Sequence, residues 1–335
     1  MKKLFARVLT VGYLSLLFIF CLPLFASADG FPEDGKIIRF IVPNPPGGGM
    51  DLYPRTLAPF VKNHLPWKEG EVIVENIVGA GGYTGSREIF YSKPDGYTIG
   101  IVMDQVVTLP PILGQVAYFD ASKYTFFGQF NNFPSMIFTN SKSRLKSFSD
   151  LKHSKNPVTY GCDMQQIANY WMMAEKMGLN MKPILGYQGS SDSRLAVLRG
   201  EVDISTSEYS SFANYHTSGE LRILFHFGKG PDKRAPEVPS MLDLGYPEEI
   251  AGINTVARTI VGPQGIPDDR AEILRKAIWA ALNDPGFIAI CEKSKRLEPD
   301  PKTAQEAEKS TRATAAFWLK HKDQVKATMN EFGYR

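Results

Sequence analysis

The sequence predicts a two-lobed α/β protein with a helical C-terminal segment. Short apolar runs of strand length alternate with helix-length segments over residues 36–103 and again over residues 158–227. Such alternation is typical of a largely parallel sheet with helices on its faces. After Pro263 the pattern becomes helical throughout. The length of 335 residues fits two ordinary domains or one large one.

The first unit begins with a buried strand, Lys36–Val42, and a helix, Asp51–Leu65, in which apolar residues recur at every fourth position. Pro54 fits the first turn of that helix, whereas Pro59 is expected to kink it. A strand, a helix and a strand complete the unit at Glu71–Ile77, Ser86–Ser92 and Tyr97–Met103.

The second unit repeats this pattern, and a helical tail follows it. Strands are predicted at Val158–Tyr160, Pro183–Tyr187, Val202–Ser205 and Leu221–Phe227, and helices at Ile167–Met177 and Ser193–Leu198. The tail contains a helix that starts at Asp268 and a last one over Thr303–Lys326. We assign residues 29–128 and 240–335 to lobe 1 and residues 129–239 to lobe 2.

The first 28 residues have the three-part pattern of a cleaved signal peptide. A basic start is followed by an apolar run over Val8–Phe25 and by Ala26-Ser27-Ala28, a small-residue cleavage site. The alternatives are an uncleaved membrane anchor and lipidation at Cys21, but bulky residues before Cys21 disfavour the latter. Lys2, Lys3 and Arg7 supply the entire formal net charge of +3, so the exported protein is formally neutral.

This charge balance and the scattered histidines exclude several classes of function. A balanced chain lacks the clustered basic face of a nucleic-acid-binding protein. The five histidines are His64, His153, His216, His226 and His321, and no two have metal-ligand spacing. There is no G-x-S-x-G nucleophile motif. We therefore predict no enzyme, no metal, no cofactor and no nucleic acid. Export would permit a disulfide between Cys162 and Cys291, but two cysteines do not establish one.

Two glycine-rich loops, each between a strand and a helix, are the strongest candidates for a binding site. Loop 1 is Pro43–Gly49 and loop 2 is Gly79–Gly85. Glycines expose backbone N–H groups beside a helix N-terminus, which carries about half a positive charge. Such loops favour an anion without Lys or Arg, and ligands bind at the carboxyl ends of strands in open α/β sheets. The alternative is that each loop merely permits close packing.

A dinucleotide site is a further alternative for loop 2. Gly79-Ala80-Gly81 begins a G-x-G-x-x-G pattern, and Asp104 is placed like an acidic ribose ligand. However, Thr84 occupies the third glycine position, and an exported protein has poor access to nicotinamide cofactors. We therefore favour a small carboxylate held between the two loops.

Taken in order, the motifs of this chain resemble those of the substrate-binding receptors of tripartite tricarboxylate transporters, the Bug-type receptors. The matching segments span nearly the whole chain after residue 28 and are Ile41–Gly48 with Asp51, Val74–Asn76 with Gly79–Gly82 and Gly85, Pro94–Thr98, Gly186–Ser190, Arg199–Asp203 and Gly262–Pro267. Each motif alone is weak, but six in the right order are specific.

The resemblance implies a type II-like, Venus-flytrap periplasmic-binding-protein fold with a mixed sheet in each lobe. It implies a periplasmic monomer that closes on a small organic acid and delivers it to integral-membrane transporter subunits. The assigned first-lobe ligand residues are Asn44, Pro45, Gly47, Gly48, Asp51, Ala80, Gly81, Gly82, Tyr83 and Asp104. Those of the second lobe are Tyr160, Asp163, Met164, Gln165, Tyr187, Gly189, Ser190, Ser191, Ser205 and Glu208.

The second lobe departs from the family pattern. The segment Tyr160–Gln166 replaces a run of small residues, and Ser191-Asp192-Ser193 replaces the usual Ala-Pro-Ala. Because Asp163 places an acid there, our hypothesis is that the distal end of the ligand is not a second carboxylate. Two other functions stay open, a sensor that presents its ligand to a membrane signalling protein and an exported enzyme that uses the same cleft.

Overall fold

The computed structural model describes residues 30–47, 49–114, 117–162, 166–187, 189–294 and 297–332. The predicted signal peptide lies outside the described residues. So do four of the predicted ligand residues, which are Gly48, Asp163, Met164 and Gln165.

Ten strands form two five-stranded mixed sheets in the described part of the chain. The first sheet has the order β2-β1-β3-β10-β4 and the second has the order β7-β6-β8-β5-β9. The first contains β1 (Ile37–Val42), β2 (Glu71–Asn76), β3 (Thr98–Met103), β4 (Thr125–Pro134) and β10 (Thr255–Gly262). The second contains β5 (Met136–Asn140), β6 (Val158–Gly161), β7 (Met181–Ile184), β8 (Ile204–Ser207) and β9 (Leu221–His226).

Helices flank both sheets. Those that follow strands of the first sheet are α1 (Gly49–His64), α2 (Tyr83–Tyr91) and α3 (Asp104–Leu113). Those of the second are α4 (Phe148–Lys152), α5 (Ile167–Trp171), α6 (Ser190–Arg199) and α7 (Ala213–Thr217). The C-terminal helices are α8 (Asp268–Leu282), α9 (Pro285–Ser294) and α10 (Ala304–Glu331). The two-lobed fold class with a helical tail is confirmed.

Each sheet has a parallel part and an antiparallel part. In the first sheet β1 pairs in parallel with β2 and β3, while β10 runs antiparallel to β3 and β4. In the second sheet β6 is parallel to β7 and β8, while β5 is antiparallel to β8 and β9. The parallel strands and the antiparallel strand β9 were predicted from the sequence, whereas β4, β5 and β10 were not.

Several predicted boundaries shift by a few residues. β7 begins at Met181 instead of Pro183, because it pairs with β6 in the register Val158↔Met181. The helix α1 contains both Pro54 and Pro59 between Gly49 and His64. Cys162 and Cys291 are both buried and form no disulfide with each other.

A single residue joins the two sheets on the outward path. β4 ends at Pro134, β5 begins at Met136, and Ser135 between them is buried. The Ser135 N–H donates to the carbonyl of Asn254 at 3.0 Å, and the Ser135 carbonyl accepts from the N–H of Phe227 at 3.0 Å. The outward path and the return segment over residues 227–254 are therefore hydrogen-bonded to each other. The lobe borders at 128/129 and 239/240 stay predictions.

The last helix packs against elements of both sheets. Phe317 and Trp318 of α10 belong to one core cluster with Trp171 of α5, and the Trp171 and Trp318 ring centroids are 6.0 Å apart. Leu109 of α3 lies in the same cluster. The helical tail thus contributes to the interior and does not extend from the surface.

Asp104 ties α3, β10 and α10 together inside the first lobe. Its carboxylate accepts hydrogen bonds from Thr259 Oγ1 at 2.8 Å and from Thr311 Oγ1 at 2.9 Å. Burial raises the pKa of this carboxyl to about 6, although both threonine hydroxyls favour the ionised form and lower it. The side chain that sequence analysis placed among the ligand residues is thus enclosed by the core.

We predict that Asp104→Asn changes the pH dependence of stability. In the wild type, the pKa of this carboxyl is about 6 in the folded protein and about 3.9 after unfolding. The free energy of unfolding therefore decreases as the pH rises from 4 to 6, because the buried carboxyl must lose its proton. Two pKa units correspond to about 3 kcal/mol. In thermal unfolding from pH 4 to pH 7, the Tm of the variant should rise relative to that of the wild type as the pH increases. Asp323→Asn, at an exposed site on α10, should give no such trend, and a pH-independent difference for Asp104→Asn would contradict the prediction.

Candidate functional site

The parallel register of β1 and β2 brings the two glycine loops to one edge of the first sheet. Val42 is paired with Asn76, so both strands end at the same level. The N–H of Ile77 donates to the carbonyl of Val42 at 2.9 Å, and Asn76 Nδ2 donates to the carbonyl of Asn44 at 2.8 Å. The loops are therefore joined side by side.

The carboxylate of Asp51 holds loop 1 in place. It accepts from the Gly47 N–H at 2.8 Å, from Arg55 Nε at 2.9 Å and from Asn76 Nδ2 at 2.8 Å. Asp51 is only 2% exposed. Burial raises the pKa of this carboxyl, but the donors from Arg55, Gly47 and Asn76 outweigh burial and leave the pKa below its ordinary value. The side chain organises the loop and has little capacity left for a ligand.

Loop 2 requires glycine for its backbone conformation. Gly79, Gly81 and Gly82 have φ angles of 148°, 63° and 101°, and Ala80 between them has a φ of 46°. Residues with a Cβ rarely adopt such positive φ angles. Gly82 immediately precedes α2, whose first turn contains no acidic residue. The first turn of α1 contains the acidic residue Asp51. Of these two helices, α2 is therefore the one whose positively polarised N-terminus has no acidic side chain.

Close packing between the loops accounts for Gly85. A Cβ at this position would lie 2.5 Å from the carbonyl oxygen of Ile77 and 2.8 Å from Cα of Pro43. Such distances are far below van der Waals contact, so only glycine fits. The packing interpretation therefore holds for Gly85. The exposed described residues of the two loops are Pro45, Pro46, Gly47, Ala80, Gly81 and Thr84.

Tyr83 lies in the core at the start of α2. It is 5% exposed, and its ring is stacked on Phe119 with the centroids 5.3 Å apart. Burial raises the pKa of its hydroxyl, and the hydroxyl oxygen is buried without a hydrogen-bond partner. The structure thus places Tyr83 behind the loop, whereas Asn44 is half-buried within the first loop.

The predicted residues of the second lobe divide into an interior group and a surface group. Tyr160 and Ser205 are fully buried, and Ser205 Oγ donates to the carbonyl of Gly161 and contacts Ser193 Oγ, both at 2.9 Å. The surface group lies after β7 and at the start of α6. Its members are Tyr187, Gly189, Ser190 and Ser191, which are half-buried except for the exposed Ser191.

Glu208 belongs to a nearly buried cluster of charges, which we call the hinge ion cluster. It consists of Glu208, Asp232, Arg234, Arg258 and Glu298. Arg234 is 3.0 Å from Glu208, 2.6 Å from Asp232 and 3.3 Å from Glu298, measured between nitrogen and oxygen atoms. Arg258 of β10 is 3.6 Å from Glu208. Since Glu208 follows β8 of the second sheet, the cluster joins elements of both sheets, and its charges are largely matched.

Sequence reasoning missed some of the residues that build these sites. Asn76, the last residue of β2, and Arg55 of α1 contact Asp51. Val74–Asn76 belongs to a matching motif, but nothing in the sequence connected Asn76 or Arg55 with Asp51. Arg234 and Arg258 could not be distinguished from solvated surface arginines. Arg194 of α6 was missed for the same reason, although its guanidinium lies beside Ser191, to which Nη2 donates at 3.4 Å.

One large cavity lies away from the glycine loops. It has a volume of about 1020 Å³ and lies between the two sheet-joining segments and α10, with Phe133, Gly252 and Phe317 in its wall. None of the predicted ligand residues lines it. Its walls contain the ion pairs Lys229–Glu248 and Lys320–Glu249. For an acidic ligand we favour the glycine loops, because loop 2 places exposed backbone at a helix N-terminus whose first turn has no acidic residue.

The described residues contain neither a cluster of metal ligands nor a membrane-spanning helix. No group of three or more His, Cys, Asp or Glu side chains there could hold a metal ion. In the same ranges, no helix has the length and apolar character that a bilayer crossing requires.

Comparisons with known proteins agree with one another. Residues 58–320 match the family model described as "Tripartite tricarboxylate transporter family receptor". Protein BugT of Bordetella pertussis is 27% identical over 276 residues, which cover 78% of this chain and 80% of BugT.

Solved structures show the same fold. A TctC solute binding protein from Polaromonas superimposes with a TM-score of 0.73 at 19% identity and covers 89% of this chain and 99% of its own. R. palustris Rpa4515 with adipate gives a TM-score of 0.67 at 17% identity and covers 88% of this chain and 98% of its own.

We predict that Asp51→Asn destabilises the protein by about 1–3 kcal/mol, since a buried, charge-assisted hydrogen-bond centre is weakened. The pKa of Asp51 is lowered in the folded state, so its contribution is present above the unfolded-state pKa of about 3.9 and is lost as the pH falls through the folded-state value. Urea unfolding at pH 7 and pH 3 measures both effects. Glu75→Gln is the matched control, because Glu75 pairs with Arg39 at 2.8 Å but is 44% exposed. Equal decreases in the free energy of unfolding of the two variants would refute the prediction.

Proposed function

The chain belongs to the tripartite tricarboxylate transporter receptor family, and from this premise we propose that the two glycine loops bind one carboxylate group of a small organic acid. The observation that carries the proposal is the junction of the loops at the ends of β1 and β2. There, exposed backbone of loop 2 lies directly before the N-terminus of α2.

The charge distribution supports loop 2 as the main anion site. Asp51 already supplies a negative charge to the first turn of α1, whereas the first turn of α2 has none. A carboxylate at the N-terminus of α2 would be favoured by the positive end of the helix dipole. In this proposal Asn44, Pro45 and Gly47 border the carboxylate from loop 1, and Ala80, Gly81 and Gly82 surround it from loop 2.

The second lobe would contact the remainder of the ligand. Tyr187, Gly189, Ser190 and Ser191 are the described residues with the exposure that such contacts need. In the proposed cycle, the lobes close on the acid and the closed monomer delivers it to integral-membrane transporter subunits. Export through cleavage after residue 28, and hence a periplasmic location, belongs to the same proposal.

We further propose that the protein has no catalytic activity. The family is one of receptors. Among the described residues of loop 2 and the first turn of α1, the side chains able to act as acid, base or nucleophile are Asp51, Tyr83 and Thr84. Asp51 is occupied by three donors, and Tyr83 is enclosed by the core.

We predict that Gly81→Val abolishes binding of small carboxylic acids while the protein still folds. A valine at a φ of 63° is strained and covers the backbone of loop 2. Ligands can be found by a thermal-shift screen of small carboxylic acids, since binding raises the apparent stability, and affinities then follow from calorimetry.

Gly200→Val is the matched control. Gly200 has a similar φ of 75° and open space around its Cβ position, but it lies at the opposite end of α6 from Ser190. The Gly200→Val variant should have the same backbone strain at positive φ but should keep the wild-type affinity for carboxylic acids. An unchanged affinity in Gly81→Val, or an equal loss in both variants, would place the carboxylate elsewhere.

A further inference from the structure

The cavity of about 1020 Å³ beside the crossover between the sheets has no role in the proposed function, because none of the assigned ligand residues lines it. It is bounded by the outward path at Phe133, by the return segment at Gly228 and Gly252, and by α10, which packs against elements of both sheets. Its volume lies at the upper end of the range of small-molecule pockets. The cavity is therefore large enough for a second ligand, distinct from the acid proposed for the glycine loops.

The wall of this cavity is mostly apolar. The aromatic side chains Phe133 and Phe317 line it, and Ile253 of the return segment lies in the same wall. On α10 the lining residues Ala313 and Ala316 are exposed, and their small side chains leave the space beside the helix open. Covering such a surface with a hydrocarbon group releases water and is favourable.

The five acidic side chains that line the cavity already have partners within the protein. The pairs are Asp232 with Arg234 at 2.6 Å, Glu248 with Lys229 at 3.0 Å, Glu249 with Lys320 at 2.5 Å, Asp300 with Lys302 at 3.0 Å, and Glu306 with the Thr303 hydroxyl at 2.7 Å. Four of these carboxylates are thus paired with cations, and Glu306 lies in the first turn of α10, where the helix dipole favours a negative charge. The acids of the cavity therefore do not call for a cationic ligand.

Two of the four lysines that line the cavity, Lys233 and Lys309, have no such partner. Within the described ranges, no carboxylate oxygen lies within 4.0 Å of either ammonium group, and both side chains are exposed. Lys309 belongs to the first two turns of α10, and Lys233 adjoins Arg234, which contacts Glu298 before this helix begins. The free charges thus lie toward the start of α10, whereas the paired Lys320 is about 16 Å further along the helix axis.

We propose that this cavity is a second ligand site and that it binds an amphipathic anion. The anionic headgroup lies at Lys233 and Lys309, and the apolar chain extends along Ala313 and Ala316 toward Phe317. Ammonium groups bind such a headgroup as point charges and do not require a planar, two-pronged arrangement. Each methylene buried against the apolar wall adds affinity. A medium-chain fatty acid is the simplest compound of this class.

Calorimetry with octanoate, octanol and octylammonium tests the chemical class, because these probes share one apolar chain and differ in charge. The titrations use both the wild type and Gly81→Val, in which the carboxylate site proposed for loop 2 is blocked. Gly81→Val should bind one octanoate, at least tenfold more tightly than octanol or octylammonium. Hexanoate should bind at least threefold more weakly than octanoate, because it buries two methylenes fewer.

Two substitutions on α10, made in the same Gly81→Val background, test the location. Lys309→Met removes a free charge and should weaken octanoate binding at least fivefold, with less than a twofold effect on octanol. Ala313→Trp fills the apolar space and should abolish octanoate binding. Lys322→Met and Ala327→Trp are the matched controls, since both positions are exposed on α10 and do not line the cavity. The controls should keep the affinity for octanoate.

Thermal unfolding without ligand shows whether each variant is folded. All four substitutions are at exposed positions of one helix, so the cavity variants should have the same Tm as their controls. If Ala313→Trp does not fold, Lys309→Met decides the location. Equal octanoate affinity in the cavity variants and their controls, or octylammonium binding as tight as octanoate binding, would overturn the inference. Octanoate that binds the wild type but not Gly81→Val would place the anion at the glycine loops, so that the inference fails while the proposed function stands.

Discussion

The carboxylate of Asp51 is the interaction on which the site depends. A loop with three consecutive glycines has many accessible conformations, and ordering it carries a large entropic cost. Asp51 offsets this cost because one buried anion accepts from loop 1, from α1 and from Asn76 at the end of β2. The same contacts set the position of loop 1 relative to loop 2, so the geometry of both loops follows from one side chain.

This arrangement also determines where a ligand anion can go. The N-termini of α1 and α2 lie at the same edge of the first sheet, and on dipole grounds alone either would attract a carboxylate. Asp51 occupies the first of these positions as part of the structure. Loop 2, where glycine allows positive φ angles and α2 begins without an acidic residue, is left for the ligand. In the proposed function, the dipole of α2 attracts the acid, and the overall charge of the chain is not needed for this.

The parts of the fold that could be predicted are those whose signal is local. β1, β2 and β3 are apolar runs bounded by glycine and proline, so their hydrophobicity and their ends are both visible in the sequence. β4 and β10 are different, because they contain buried polar residues. Gln129 donates to Thr259 at 2.9 Å and Asn131 donates to Tyr53 at 2.9 Å. These partners are far away along the chain, and the sequence pattern alone therefore resembles a polar loop.

The same distinction applies to the site. Both glycine loops could be predicted because a glycine run between a strand and a helix has one common structural meaning. The direction of a side chain at a strand end could not, since it depends on distant partners. Asp104 faces Thr311, which is 207 residues away along the chain, and Glu208 faces Arg234 and Arg258. Nothing local distinguishes these acids from ligand contacts.

The hinge ion cluster limits how the two sheets can move. Arg234 is 8% exposed and holds carboxylates from both sides of the crossover. Breaking a buried pair costs about 3–5 kcal/mol, which is comparable to the free energy of binding a small ligand at millimolar affinity. In the proposed closure on a ligand, a movement that keeps these pairs intact would therefore cost less than one that separates them.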